Sequence, residues 1–336
     1  MDIDYHFGTM YVLSRWADFG SANAKIIATS AQLVDDNMDN NSFSDAAEKE
    51  ALAQGIHIRY SCQNIWNNIT GKGNMEVWVP FHFLPGLQGD TEEEKLVCRK
   101  HSELSEALGE RLLKTTLDNS QFAFRLGVGL HVLADTWAHQ GFAGVNASIN
   151  RVQNLIFNSS GVKIEKVLKD FIDNHKFVTD FVNNYNPLGH VSAAHCPDQP
   201  YLWWKTKGLF SEGRQNWTEF LEASEEIFRI LQQVSCVPVT GLSDDQKGML
   251  LDCFKDIQDE DFNARYKEWI RRIHQNYFRI PNFDDGDRTV EYSAQTILGD
   301  PDFAKSFYDE INDHFDWVRD RLLDNGIDVL KSEAVY

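Results

Sequence analysis

Three residues stand out by type and spacing. His131, Asp135 and His139 recur at i, i+4 and i+8; at about 100° per residue they share an arc of roughly 80° on one helical face. Their neighbours Leu126, Val128, Leu130, Val132, Leu133 and Trp137 are apolar, so the polar stripe lies on an element that must be buried. Two imidazoles and a carboxylate buried without partners are costly. A divalent ion satisfies all three, because imidazole nitrogen and carboxylate oxygen are ordinary zinc ligands. The alternative is a hydrogen-bonded His-Asp-His ladder that only ties helices together; three ionisable groups clustered in an apolar setting favour the metal. Asp135, about 40° from each histidine, is the position able to serve ions on both sides.

Other residues of ligand type lie far away in the chain. Asp2, Asp4 and His6 alternate in DIDYH; Asp2 and His6 share a face if the segment is helical, and all three share one if it is extended. Asp35 and Asp36 end an expected helix, where the dipole disfavours negative charge and a cation would relieve it. A solvated helix end is the other reading for one of the two. His82, within VWVPFHFLPG, sits in a rigid apolar loop, either as a ligand or as a core histidine bonded to backbone. GHVSAAHCPDQP supplies His190, His195 and Asp198, with His195 the more ordinary loop histidine. His57, His101, His175, His274 and His314 read as surface or packing residues. Trp203 and Trp204 read first as core aromatics and second as a lining for a substrate mouth.

The elements that must carry these residues are mostly helical. Thr9 to Phe19 predicts a helix stopped by Gly20, and Ser21 can cap a second one running to Asp35 and Asp36. Ser44 to Gln54 predicts a short helix. Ile56 to Tyr60 and Glu76 to Pro80 have strand-like composition and predict a small hairpin. Thr91 with Glu94 forms a capping box opening a helix through Leu112. Asn119 or Ser120 caps the most apolar helix, SQFAFRLGVGLHVLADTWAHQ, in which Gly127, Gly129, Ala134 and Ala138 let neighbouring elements approach closely. Further helices are expected at roughly 148–158, 162–184, 214–234, 244–278 and 301–325. The fold class is therefore all-α in the main, a multi-helix bundle. A composition shift near Val237 to Asp245 divides a metal-binding domain, 1–240, from a helical extension, 241–336. The acidic FDDGD segment (Phe283 to Asp287) lacks full calcium-loop spacing and reads as an exposed turn.

Composition sets the partners. The 336 residues carry 51 acidic and 32 basic side chains, a formal net charge of -19, which disfavours extended nucleic acid and anionic lipid. A small phosphate ester stays open, since bound cations reverse the field inside a cleft. The five cysteines are odd in number and widely spaced and read as reduced core residues. The opening MDIDYH has no basic, apolar leader and no stretch approaches a spanning helix, so the expectation is a cytoplasmic protein or one exported without a signal. HExxH, Glu-x-x-His, Walker and GxSxG patterns are absent from the sequence, which argues against zincin peptidases, di-iron bundles, P-loop enzymes and serine hydrolases.

The order of these residues resembles the zinc-dependent phospholipase C and single-strand nuclease superfamily. The likeness rests on an N-terminal His, an Asp ending an early helix, a His in an apolar loop, a helical HxxxD and a later His, and covers about residues 1–200. More narrowly, LHVLADTWAHQGFAG and DYHFGTMYVLSRWADF are similar to an uncharacterised bacterial family. The superfamily resemblance implies an all-helical fold with a cluster of three zinc ions that hydrolyses phosphodiesters. By position it implies metal ligands at His6, Asp36 or Asp35, His82, His131, Asp135, His139 and His190, with Asp135 bridging and Asp36 or Asp35 orienting the attacking water. Secreted members use the amine of an N-terminal tryptophan; here Asp2 or Asp4 would replace it. The spacing from Asp135 to His139 is shorter than usual, and Ala194 stands where an acidic residue is expected, leaving Asp198 to substitute. The expectation is a metal-dependent phosphoric ester hydrolase holding two or three zinc or other divalent ions and acting on a small phosphoester or phospholipid headgroup. A nuclease or nucleotide phosphodiesterase, and a non-catalytic metal-stapled binding module, are the alternatives.

Overall fold

In this computed structural model the described residues are 1–38, 51–63, 73–159, 188–193, 195–294 and 298–330. The helix expected over 162–184 lies outside them, as does most of that over 44–54. The fold is mainly α-helical, with one small sheet.

The chain opens on a π-helical turn, Asp4–Thr9, which runs without a break into α1 (Met10–Trp16). Gly20, in extended conformation, caps α2 (Ser21–Asp36), so Ser21 is its first helical residue and not its cap. The expected hairpin does not form: Glu76 to Pro80 lies within α3 (Asn74–Phe81). Pro80 sits near the end of that helix, where its ring breaks little, and burial of Val77, Val79 and Phe81 outweighs their β propensity.

The Thr91–Glu94 capping box is present, but its helix, α4, spans only Glu92–Lys95. The chain then turns through Val97 and Cys98, which bridge to Ala143 and Pro85. Ser102 caps a separate helix, α5 (Glu103–Leu113). The central helix α6 (Phe122–Ala138) is buried along nearly its whole length, and His139 caps it. The helix expected over 148–158 gives way to a 3-10 turn (Ser148–Asn150) and β1 (Ile156–Ser159), which pairs antiparallel with β2 (Leu202–Lys205); β2 pairs in turn with β3 (Arg214–Gln215). Long-range pairing overrides the local helical pattern there.

α7 (Asn216–Val234) follows. The segment expected as one helix over 244–278 splits into α8 (Asp244–Asp256) and α9 (Phe262–His274), because the Asp261 carboxylate accepts from the Asn263 amide and starts a new helix. FDDGD is not an exposed turn. Asp284 caps a short helix, α10 (Asp285–Thr289), and the fully buried Asp287 accepts from Tyr11, Arg15 and the Asp284 amide. Asp300 caps the last helix, α11 (Pro301–Asp324).

α2, α5, α7 and α11 pack around α6. Gly127 makes the closest approach possible: a Cβ there would fall 2.5 Å from the Ile27 carbonyl oxygen of α2. Gly129 does the same toward Leu112 of α5, also at 2.5 Å. Residues on both sides of 240 join one core, including Leu130, Phe220, Phe254, Trp269 and Phe315, each such buried side chain contributing about 1.5–3 kcal/mol. Among the described residues, no helix is long and apolar enough to cross a membrane.

Candidate metal centre

The close packing at Gly127 brings the C-terminal end of α2 beside the C-terminal half of α6, and so Asp35 beside Asp135. Asp135 is fully buried and central. Its Oδ1 lies 2.6 Å from the α-amine of Met1 and 3.1 Å from His6 Nε2. Its Oδ2 lies 3.3 Å from His82 Nδ1, 3.4 Å from His131 Nε2 and 3.5 Å from His139 Nδ1. The two oxygens thus face two sets of partners: both histidines of the helical triplet lie on Oδ2 with His82, and Oδ1 faces the N-terminal segment.

Asp35 supplies the opposite wall, with Oδ1 3.6 Å from His82 Nδ1 and 3.9 Å from His131 Nε2, and Oδ2 4.0 Å from His6 Nε2. Farther out, Asp198 Oδ1 lies 3.0 Å from His139 Nε2 and Oδ2 lies 3.2 Å from His190 Nε2. Three groups of three result: His6, Asp35 and His131; His82, His131 and Asp135; His139, His190 and Asp198. Within each, the ligand atoms lie within 4.8 Å of one another, and donors about 2.0–2.1 Å from a tetrahedral ion stand about 3.3 Å apart.

The tautomers favour cations between these groups. His82 Nε2 lies 2.9 Å from the Ser61 carbonyl oxygen, an acceptor only, so this nitrogen carries the ring proton. In the neutral ring Nδ1 then presents a lone pair to the carboxylates of Asp135 and Asp35. Likewise His139 Nδ1 donates to the His82 carbonyl at 2.7 Å, leaving the lone pair of Nε2 facing Asp198. Lone pair against carboxylate is repulsive unless a second proton or a metal ion intervenes, and a backbone carbonyl fixing the outer nitrogen is the usual support of a metal-bound histidine.

Charge balance points the same way. Burial, His131 and the Met1 ammonium hold His6 well below its ordinary value, and burial takes His131 down to about 4, so both imidazoles are neutral at pH 7. Burial opposes ionisation of Asp135, yet the Met1 ammonium and His139, His131 and His6 hold it well below the usual carboxylate range. Burial also opposes charge on the amine, but Asp135, Asp198 and Asp35 raise it to about 11. Asp35 is pushed well up by burial, with Asp135, Asp36 and Asp2 adding to it against the amine. Asp135 and Asp198 already exceed the one ammonium in charge, and bound cations would neutralise that excess and draw Asp35 into its charged form. The donor set fits a divalent metal cluster.

Three carboxylates expected as ligands lie outside these groups. Asp36 accepts from the Tyr292 hydroxyl at 2.5 Å and from Gln32 Nε2 at 3.2 Å. Asp2 and Asp4 pair with Arg265. His195 is exposed at the lip of the cleft. Trp204 is buried against Asn216, and neither it nor Trp203 lines the cleft.

Sequence reasoning set the N-terminal amine aside in favour of Asp2 or Asp4, although the resemblance pointed to that group, and it missed Arg265 and Tyr292. Every chain has an amine, and the other two are single residues in a polar context, so none carries a spacing signal. Asp35, His82, His139, His190 and Asp198 line a cleft of about 450 Å³, walled by Trp78, Phe83, Phe262, Tyr266 and Tyr292, with His6, His131 and Asp135 buried behind them.

A model of a family of unknown function, DUF6765, matches residues 1–325. The chain belongs to that family. No curated protein and no solved structure matches the chain. The matched range runs unbroken past residue 240 and takes in both Arg265 and Tyr292.

Proposed function

We propose that this DUF6765 chain is a metal-dependent phosphoric ester hydrolase of zinc type, acting on a small phosphodiester such as a phospholipid headgroup. The observation that carries this reading is the set of three His/Asp groups that reach one open cleft, the first through Asp35, the second through His82 and the third through all its members. A purely structural metal site is closed by four protein ligands, whereas a catalytic one keeps a position for water.

His6, Asp35, His82, His131, Asp135, His139, His190 and Asp198 would hold two or three ions. Such ions acidify water and neutralise charge on phosphoryl oxygens. Asp135 would join two of the groups through its two oxygens. Asp36, fixed by Tyr292 and Gln32 at the cleft wall, would orient the attacking water and take its proton. The aromatic walls would exclude bulk solvent and pack on the substituents of the ester. Among the described residues, no Lys or Arg lines the cleft; with the net charge of -19, this favours a small ester over an extended polynucleotide.

The test is elemental analysis of purified protein with a screen of phosphomonoester and phosphodiester substrates, before and after chelation. Two or three ions per chain and chelator-sensitive turnover are expected. Chelation should also lower the melting temperature, because a ligand at a hundred times its dissociation constant contributes about 2.7 kcal/mol. A metal-free protein whose melting temperature ignores chelator overturns the reading.

A further inference from the structure

We infer that Arg265, from α9, is a positioning residue that holds the N-terminal segment so that His6 and the Met1 amine reach the cluster. The inference rests on the metal-centre reading above and assigns a role to a residue outside the ligand groups. Arg265 is fully buried, and each of its three nitrogens is bonded. Nη2 pairs with Asp2 Oδ2, Nε lies 3.1 Å from Asp4 Oδ2, and Nη1 donates to the carbonyls of Asp259 at 2.6 Å and Glu260 at 3.4 Å.

Asp2 is the hub of this clamp. Its carboxylate is held by Arg265 while its backbone carbonyl accepts the amides of Tyr5 at 2.9 Å and His6 at 3.1 Å. The turn that aims His6 therefore starts on a residue fixed by Arg265, and Met1 precedes that residue directly. Without the guanidinium, Asp2 and Asp4 would add two uncompensated carboxylates to a region already rich in Asp35, Asp135 and Asp198, and repulsion would drive the segment outward. A lysine cannot replace the clamp, because a single ammonium lacks the planar fork that reaches two carboxylates and two carbonyls together.

The test uses the full chain, stripped with chelator and titrated with zinc and with cobalt(II) against a chromogenic competitor, with circular dichroism to verify folding. In Arg265→Lys, the ions held through His6 should bind about tenfold to a hundredfold more weakly, the usual effect of losing an outer support; those held through His190 should bind as in the wild type. The cobalt spectrum should change in the component that His6→Ala also removes. The effects of Arg265→Lys and His6→Ala should not add, whereas those of Arg265→Lys and His190→Ala should. Asp4→Asn loosens the clamp from the other side and should give the same pattern in milder form, which keeps the test open if the arginine variant fails to fold. Wild-type affinity in both variants, equal weakening of every ion, or additivity with His6→Ala overturns the clamp alone. A wild-type chain that takes up no ion overturns the metal reading and the clamp with it.

Discussion

Two buried clusters of charge lie at opposite ends of the early helices, and they are built differently. Around Asp287 every charge is answered. Its carboxylate accepts from Tyr11 at 2.8 Å, from Arg15 Nε at 2.7 Å and Nη2 at 3.0 Å, and from the Asp284 amide at 2.8 Å. Arg15 also donates to the carbonyls of Phe19, Pro281 and Asn282. Around Asp135, carboxylates outnumber cations, histidine lone pairs face oxygen, and His6 Nδ1 and His131 Nδ1 have no hydrogen-bond partner among the described residues. The first cluster answers its own charges with protein groups. The second leaves polar atoms unanswered and reaches a cleft through Asp35, His82, His139 and Asp198. Saturation of hydrogen bonds thus separates a staple from a site better than burial does, since both are buried.

Substitutions can break or sharpen this contrast. The largest effect is expected from Asp135→Asn, which keeps volume but removes charge. It should lower any phosphodiester turnover by about two to three orders of magnitude or more and cost at least one ion while the fold persists. Turnover at wild-type metal content would refute the central role of Asp135. Next is Asp287→Ala, which strands Arg15 in the interior. Urea unfolding should show a loss of about 3–5 kcal/mol with unchanged metal stoichiometry, the reverse of the first pattern. His6→Ala should reduce bound metal by one ion and leave helicity intact, measured by elemental analysis beside circular dichroism; unchanged stoichiometry would remove the N-terminus from the site. Tyr292→Phe should have the smallest effect: full metal loading with turnover about tenfold slower, equivalent to about 1.4 kcal/mol, because Asp36 loses its anchor. If Tyr292→Phe instead sheds metal, Asp36 is itself tied to the ions.

Much of the site was legible because it is written in one helix. The triplet His131, Asp135 and His139 follows from spacing alone, and the glycines beside it announced the close neighbour that brings Asp35 in. Asp35 and Asp36 could not be separated by sequence, since which carboxylate turns inward depends on Tyr292, some 250 residues away. Asp2 and Asp4 are acidic and next to the site, yet their partner Arg265 stands unmarked in a helix of ordinary polar composition. The fold shows the same division. The cap at Thr91 was readable because its partner Glu94 lies three residues on. The sheet was misplaced because β1 finds β2 across more than forty residues, and a five-residue window of Glu76 to Pro80 cannot reveal that its valines are buried on a helix.

The π-helical turn Asp4–Thr9 has a consequence for how this family can vary. A π turn holds one residue more than the α turn it replaces, so this turn can give up a single residue and wind back to a regular α-helix while what lies upstream keeps its direction. A second deletion, or one within α1, finds no such slack and would rotate His6, Asp2 and Met1 by about 100° away from Asp135. The opening stretch should therefore tolerate the loss of one residue between His6 and Met10 and no more, and larger changes of length among DUF6765 chains should begin only beyond it.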